Sequence, residues 1–595
     1  MNTIDVYPAD FPATQPLAFS RICLLCLAII FALVWFSNLE YRKLIRPDEG
    51  RYAEIAREMA VSGDWLTPRL NGLKYFEKPP LQYWMTAAAF KLCGEHHWTA
   101  RWWPATTSFA CVLLMFWVGR RLYGEEVGLA AAAMLGGCTA FIINSHINTL
   151  DAGLTAFLTL ALLGFLMAQH PEATARENRN WMLVVWVALA LAVLSKGLIG
   201  VVLPGAVLVL YILIERDWRM LTCLHVGKGL ALFLLIAAPW FIAVSLANDE
   251  FARFFFIHEH FARFLTTVHR RSGAWWYFVP ILLLGVMPWL PFIAVRLRDG
   301  WQCEGESGTW QPLRLLLIWA GFSFAFFSVS SSKLPSYILP MFPALTLFAA
   351  VQIQQIPPKL LSRLTWGMVA AGGVLLLVVL FGGERIAHRY ANDASPFEIV
   401  RGVVPWVQTS VAVFTAGAIA AAWLFRRYAR YYGVVALALG SLSAGILALD
   451  GHNEVSQLSS TYHIVHDIEA TRGTLDRDAP FYSEALAKRW PALFETSGPL
   501  DSTIPFYSIQ MHDQTLPFYL KRPVTLVQYA DEFTLGLEAE PQKGIAQIED
   551  WQKRWMALEQ GYAIMNPANY ERFANTRLPM RVLARDPRRV IVSRR

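Results

Sequence analysis

Long apolar runs separated by short polar turns occupy the first 450 or so positions of the chain. A helix that crosses a bilayer needs about 20 apolar residues to cover a hydrocarbon core of roughly 30 Å. Runs of this kind lie at roughly 19–36, 103–119, 127–147, 152–168, 181–195, 198–214, 228–247, 276–295, 315–330, 334–353, 365–382, 406–425 and 432–449. They predict an α-helical polytopic membrane protein with about 13 transmembrane helices. The patch "LQYWMTAAAFKLCG" at 81–94 is shorter and contains Lys91, which suits an interfacial or re-entrant segment. Basic clusters decide the sidedness. If 81–94 does not cross, then Arg120/Arg121, Arg176/Arg179, Arg216/Arg219, Arg296/Arg298/Arg314, Lys359/Arg363 and Arg426/Arg427/Arg430 all share the cytoplasmic side. Residues 37–102, Asp151, Lys196, 248–275, Lys333 and 383–405 then face outward.

Past about residue 450 the periodicity changes. "PVTLVQYA" and "RVIVSRR" read as strands, and "GIAQIEDWQKRWMALEQG" reads as a helix. The expected organisation is a transmembrane domain over 1–449 and a small soluble mixed α/β domain over 450–595, outside the membrane. Within the first domain, 37–102 is an external loop with interfacial helices and 248–275 an amphipathic external loop.

Composition agrees. The chain is 55% hydrophobic and 16% charged, against about 25% charged in soluble domains. Its net charge of +7 fits positive cytoplasmic loops. Nucleic acid is excluded as a partner, because no basic, aromatic-interleaved soluble module is present. Cys23 and Cys26 form a CxxC inside the first apolar run, where membrane packing explains them better than metal or redox chemistry, and no cysteine follows Cys303. The first apolar run reads as a retained anchor rather than a cleaved signal peptide.

Charge concentrates in "LIRPDEGRYAEIAREM", residues 44–59. Pro47-Asp48-Glu49 starts a helix, with carboxylates at the positive end of its dipole. Tyr52, Ile55, Ala56 and Met59 form one apolar stripe, which predicts a helix lying along the membrane surface. Taken alone, an ordinary cap with i,i+3 pairs such as Glu54–Arg57 accounts for these charges. Downstream, "NGLKYFEKPPLQYW" sets Glu77 and Lys78 before two prolines, which hold Tyr75, Glu77 and Lys78 in a non-helical segment.

Together, P-D-E-x-R-Y-A and Y-F-E-K-P-P-L-x-Y-W resemble the bacterial polyprenyl-phosphate-sugar glycosyltransferases of the GT-C superfamily, relatives of the protein O-mannosyltransferases. Among these, the chain is most similar to the 4-amino-4-deoxy-L-arabinose transferases that modify lipid A. Further motifs follow in order: "HINTLDAGLTAF" with Asp151, "VLSKGLIG" with Lys196, and "SSSKLPSYILP" with Lys333 and Tyr337. Capping, snorkelling and an interfacial tyrosine are the plain alternatives for these. In 249–271, Phe251, Phe254, Phe255, His258, Phe261, Leu265 and Val268 fall on one helical face and Arg253, His260, Arg263 and Arg270 on the other, as in an interfacial amphipathic helix.

The resemblance implies a GT-C fold in the bacterial inner membrane with a periplasm-facing site. It implies an undecaprenyl-phosphate-linked sugar donor, a lipid A phosphate acceptor, and a product that confers resistance to polymyxin and other cationic antimicrobial peptides. Asp48 and Asp151 are the expected catalytic carboxylates, with Glu77 in support. Lys78, Arg263, Tyr337 and Lys196 are the expected ligands of the lipid phosphate, and Arg51 and Tyr75 of the acceptor or sugar. No cofactor is required by these residues, although Glu77 and His258 form a conceivable divalent-metal pair. Alternatives are transfer to protein hydroxyls or another glycan, a lipid transporter, or a noncatalytic membrane receptor. A transporter predicts ionisable residues near the middle of the spans, whereas these clusters sit at span ends.

Overall fold

The structure, a computed structural model, describes residues 21–262, 273–301, 310–472 and 500–594, with Ser483 and Ala485. Among these residues, nine helices are long and apolar enough to cross a membrane. Two helix pairs, Glu125–Gly136 with Thr139–Ser145 and Phe278–Gly285 with Leu290–Arg298, pass the same test but bend by 63° and 107°. Two shorter apolar helices are Ile22–Phe36 and Ile199–Glu215. Each apolar run read from the sequence coincides with one of these units. The chain is a multi-pass membrane protein.

Five helices carry the functional region: α1 (Asp48–Ser62), α2 (Leu81–Cys93), α3 (His97–Tyr123), α4 (Leu150–Ala168) and α5 (Ala175–Lys196). The ambiguous patch is α2. Its 13 residues rise about 20 Å, short of a hydrocarbon core.

One buried ion pair gathers the loop before α1, α1 itself, α3 and the turn before α4. Arg101 Nε and Nη2 donate to the two carboxylate oxygens of Glu49 at 2.7 and 2.8 Å. Both side chains are at most 1% exposed. The same guanidinium donates to the carbonyls of Leu39, Arg42 and Lys43. Glu49 also accepts from the backbone N–H of Ile45 and of Asn148, and Asn148 accepts from Gln82 of α2 at 2.7 Å. Asp48 and Asp151, adjacent in sequence to Glu49 and to the Asn148 turn, are thereby anchored to one hub.

Between α1 and α2 lies a hairpin, β1 (Arg69–Leu70) and β2 (Leu73–Lys74), with Asn71 and Gly72 at φ 54° and 75°. An Asn-Gly pair accepts the positive φ values that a tight hairpin turn demands. The segment that follows is non-helical up to α2, as the prolines require.

The C-terminal region holds six strands: β3 (Phe506–Ile509), β4 (Thr525–Val527), β5 (Gly544–Ile545), β6 (Tyr562–Met565), β7 (Arg581–Arg585) and β8 (Val590–Ser593). Their order is β5-β4-β3-β6-β8-β7, parallel from β5 to β6 and antiparallel at the β8 and β7 edge. The predicted helix begins only at Ile548, because Gly544–Ile545 pairs with β4 as a strand.

One expectation gains a cover the sequence does not show, and another needs correction. The apolar stripe of α1 is buried, and so are Glu49, Arg51, Glu54 and Arg57 on its polar side. The C-terminal domain covers that side, with Phe518, Leu526 and Phe533 packed among Leu44, Tyr52, Ile55 and Leu73 in one apolar cluster. The expected Glu54–Arg57 pair is present and buried, at 2.6 and 2.7 Å. In the second external loop, residues Arg253–Ala262 are wound as a π-helix. The wider winding moves Phe256 onto the packed side, 5.3 Å from Phe255 and 5.9 Å from Phe241. Phe251 and Phe255 stack there as expected, on Phe76, Trp240 and Phe241.

Burial pushes the Glu49 carboxyl upward, but Arg101 overrides it and holds the group at about 2, below its ordinary 4.5. A group depressed in this way stabilises the fold fully above its unfolded value and loses that contribution as pH falls. Melting curves are therefore expected to keep the Glu49 contribution above pH 4.5 and lose it toward about pH 2. Arg101→Met, which strands a buried carboxylate, is expected to cost about 3–5 kcal/mol and to lower the melting temperature sharply at pH 7.

Candidate active site

Three predicted residues from distant parts of the chain meet in one place. Asp151 stands in the first turn of α4 and Lys196 in the last turn of α5, and their side chains form an ion pair. Gly197, at φ 82°, turns the chain away immediately afterwards. The Lys196 ammonium also lies 4.8 Å from the ring centre of Tyr337, which the short helix Pro335–Met341 presents. An ammonium between a carboxylate and an aromatic face is attracted by both.

A second group forms at the start of α1. Arg51 donates to Asp48 at 2.8 Å and to Glu532 of the C-terminal domain at 2.6 Å. Glu532 is oriented by Gln514, whose amide donates to it at 2.7 Å. Tyr52 and Tyr75 are buried in the same surroundings. Burial, followed by Asp48 for Tyr52 and by Glu77 for Tyr75, raises both phenols far above the ordinary value, so both stay protonated. Burial disfavours the Arg51 charge, but the carboxylates of Glu532 and Asp48 at hydrogen-bond distance more than offset this and hold it ionised. Glu77 faces these tyrosines electrostatically, and Lys78 donates to the Glu77 carbonyl at 2.7 Å. The guanidinium expected to attract an acceptor is thus held by a carboxylate at Nε and another at Nη1.

Arg263 lies outside the described residues, as does the His258 side chain, although the His258 backbone belongs to the π-helix. Of the conceivable metal pair, only Glu77 has a described side chain. Among the described residues no group of three or more His, Cys, Asp or Glu side chains is arranged to hold a metal ion.

Sequence reasoning missed Glu49 as the hub, Arg101 as its partner, and Gln514 and Glu532 as contributors to the site. Glu532 follows β4 and Gln514 follows β3, at the carboxyl ends of parallel strands, where α/β sheets commonly present ligand-facing groups. Nothing local marks Glu532, because its partner is Arg51, 481 positions away. The Asn71-Gly72 turn did carry a local signal. Asn71 further pairs both ways with the Val524 backbone, at 2.7 Å in each direction.

Comparison with known proteins agrees with this architecture. The family model for dolichyl-phosphate-mannose-protein mannosyltransferases matches residues 20–302, and that for the aminoarabinose transferase C-terminal domain matches 497–594. An undecaprenyl phosphate-alpha-4-amino-4-deoxy-L-arabinose arabinosyl transferase of Pectobacterium carotovorum is 32% identical over 388 residues, 64% of this chain and 68% of that protein. Its namesake in Edwardsiella ictaluri is 33% identical over 332 residues, a match spanning 56% of this chain and only 59% of the relative. The crystal structure of ArnT from Cupriavidus metallidurans bound to undecaprenyl phosphate superimposes with a TM-score of 0.86 at 34% identity, covering 97% of this chain and 99% of that one. The chain belongs to the aminoarabinose transferase family.

In this chain the C-terminal domain meets α1 at backbone distance. A Cβ on Gly50 would lie 2.7 Å from the Gln514 carbonyl and from the Thr515 side chain. Gly50→Ala is expected to loosen that docking at a cost of about 1–3 kcal/mol, seen as faster limited proteolysis of the C-terminal region and a lower melting temperature. Gly205→Ala, where the added carbon meets nothing within 4 Å, is the matched control and should change neither.

Proposed function

We propose that this chain is a glycosyltransferase of the bacterial inner membrane that moves 4-amino-4-deoxy-L-arabinose from undecaprenyl phosphate to a phosphate of lipid A, at a site facing the periplasm. The observation that carries this reading is the meeting of Asp151, Lys196 and Tyr337 at the mouth of an apolar helix bundle. Relatives named for this reaction, and a fold shared along nearly its whole length with an undecaprenyl phosphate-bound ArnT, support it.

In the reaction, the bond between sugar C1 and the undecaprenyl phosphate oxygen breaks, and its electron pair stays on the leaving phosphate. An oxygen of the lipid A phosphate forms the new bond to C1 from the opposite face, inverting the centre. Negative charge grows on the leaving phosphate and positive charge on the ring, so fixed cations and carboxylates favour the transition state over the ground state. Lys196, with Lys78, Arg263 and Tyr337, receives the leaving phosphate, and Asp151 is the carboxylate Lys196 gives up to do so. Asp48 and Glu77 stand on the ring side near Tyr75. A phosphate acceptor is already anionic and needs little proton removal. The tail dictates the location: at about 0.8 kcal/mol per buried methylene, a polyprenol stays in the bilayer and the site has to open beside it.

Purified protein in liposomes, given labelled undecaprenyl-phosphate aminoarabinose, is expected to move label to lipid A and not to an acceptor peptide; transfer to peptide alone would refute the acceptor assignment. Asp48→Asn should lower kcat by at least about 100-fold with little change in donor affinity. Lys196→Met should weaken binding of undecaprenyl phosphate about tenfold, the equivalent of roughly 1.4 kcal/mol.

A further inference from the structure

At the end of the helices away from Asp48 and Asp151, α3, α4 and α5 line a partly open cavity of about 130 Å³. The 27 residues of α3 rise about 40 Å, so its last turns lie roughly a bilayer core away from the Arg101–Glu49 hub. Trp117, Arg121, Met167, His170, Glu177 and Trp181 are among the lining residues. None of them belongs to the site described above.

The lining divides by chemistry. The Trp117 and Trp181 rings pack 5.2 Å apart, and Trp117 is 44% exposed on the outside of the bundle, where acyl chains run. Met167 is buried behind them. On the polar rim stand one exposed guanidinium, Arg121, and one exposed carboxylate, Glu177. The Glu177 carboxylate is fixed by the Thr174 backbone N–H and hydroxyl, at 2.9 and 2.8 Å, in a capping box. Burial and Arg121 push the His170 imidazole down despite Glu172, so it adds no charge at neutral pH. Tryptophans at the level of lipid headgroups are the usual belt, but a belt alone does not need a paired cation and anion around a cavity.

The geometry points to a binding site for one zwitterionic phospholipid with a primary ammonium group, phosphatidylethanolamine. Arg121 takes the phosphate, Glu177 takes the ammonium, and an acyl chain lies along Trp117. An anionic lipid whose headgroup carries no ammonium, such as phosphatidylglycerol, leaves the Glu177 carboxylate without a cationic partner beside a net negative headgroup and is disfavoured. A quaternary ammonium, as in phosphatidylcholine, has no N–H to donate.

Native mass spectrometry of the full-length protein, titrated with phosphatidylethanolamine, phosphatidylglycerol and phosphatidylcholine of identical chains, tests this. About fivefold preferential retention of phosphatidylethanolamine is expected, the scale of one partly exposed charge contact. Glu177→Gln, which keeps the capping box, should remove that preference without weakening phosphatidylglycerol. Arg121→Gln should weaken all three lipids. Equal retention of the three headgroups by the unmodified protein would overturn the assignment, as would a preference for the anionic lipid. A Glu177→Gln variant that still prefers phosphatidylethanolamine would do the same.

Discussion

The architecture of the site hangs on the ion pair between Arg101 and Glu49. Two charges removed from water cost several kcal/mol each, and only a saturated set of hydrogen bonds recovers that loss. Here the set is saturated: Arg101 serves Glu49 and three backbone carbonyls, and Glu49 serves Arg101 and two backbone N–H groups. The arrangement is satisfied only when the segment before α1, α1 itself, the start of α3 and the turn before α4 are all in place. It therefore selects one packing of the first external loop, where apolar burial alone would tolerate many. The dense charge at the head of α1 has a division of labour: Glu49 is consumed in holding the loop, which leaves Asp48 beside it half-buried and facing Arg51.

The same logic describes the charges assigned to chemistry. Lys196 and Arg51, the cations placed to meet phosphates, are each neutralised by a carboxylate of the protein itself. A bare ammonium or guanidinium at the edge of a bilayer would be costly and would recruit any anion at hand. A carboxylate partner lowers that cost and leaves an exchangeable ligand. In the mechanism proposed above, a phosphate succeeds by offering more charge and more acceptor oxygens than the carboxylate it replaces, and the displaced Asp151 or Asp48 faces the positive charge that develops on the sugar ring. Ground-state pairing and transition-state stabilisation draw on the same residues in that mechanism.

Periodicity carried the membrane region, because apolar runs of span length have few alternative explanations and each became a helix or a bent pair. The 13 residues of α2 are fewer than a span needs, the feature that set the patch at 81–94 apart in the sequence. Asp151, Lys196 and Tyr337 could be named from their positions at span ends together with the family resemblance. What one sequence does not carry is pairing between positions about 50 to 480 apart. Arg51 to Glu532, Asn71 to Val524 and Glu49 to Arg101 have no periodicity and no motif. The cover over α1 is illegible for the same reason: its polar face is buried by a domain encoded some 450 positions later. Similarly, a helical wheel of 3.6 residues per turn misplaces Phe256, because the segment is wound more widely than the wheel assumes.

The C-terminal domain is best understood from the edge it turns toward the membrane. The carboxyl ends of β3 and β4 lead to Gln514 and Glu532, and α1 supplies the group, Arg51, that fills the crevice where such a sheet would otherwise take a ligand. Contact through Gly50 at backbone distance, and an apolar cluster drawn from both regions, make this a shared core rather than a tethered accessory. The consequence is one of timing. Arg51 leaves the ribosome early and Glu532 near the end, so until the last domain folds Arg51 has only Asp48 for a counter-charge. The Arg51 pairing is complete only when the C-terminal domain has folded, which ties the charge balance at the head of α1 to the integrity of that domain.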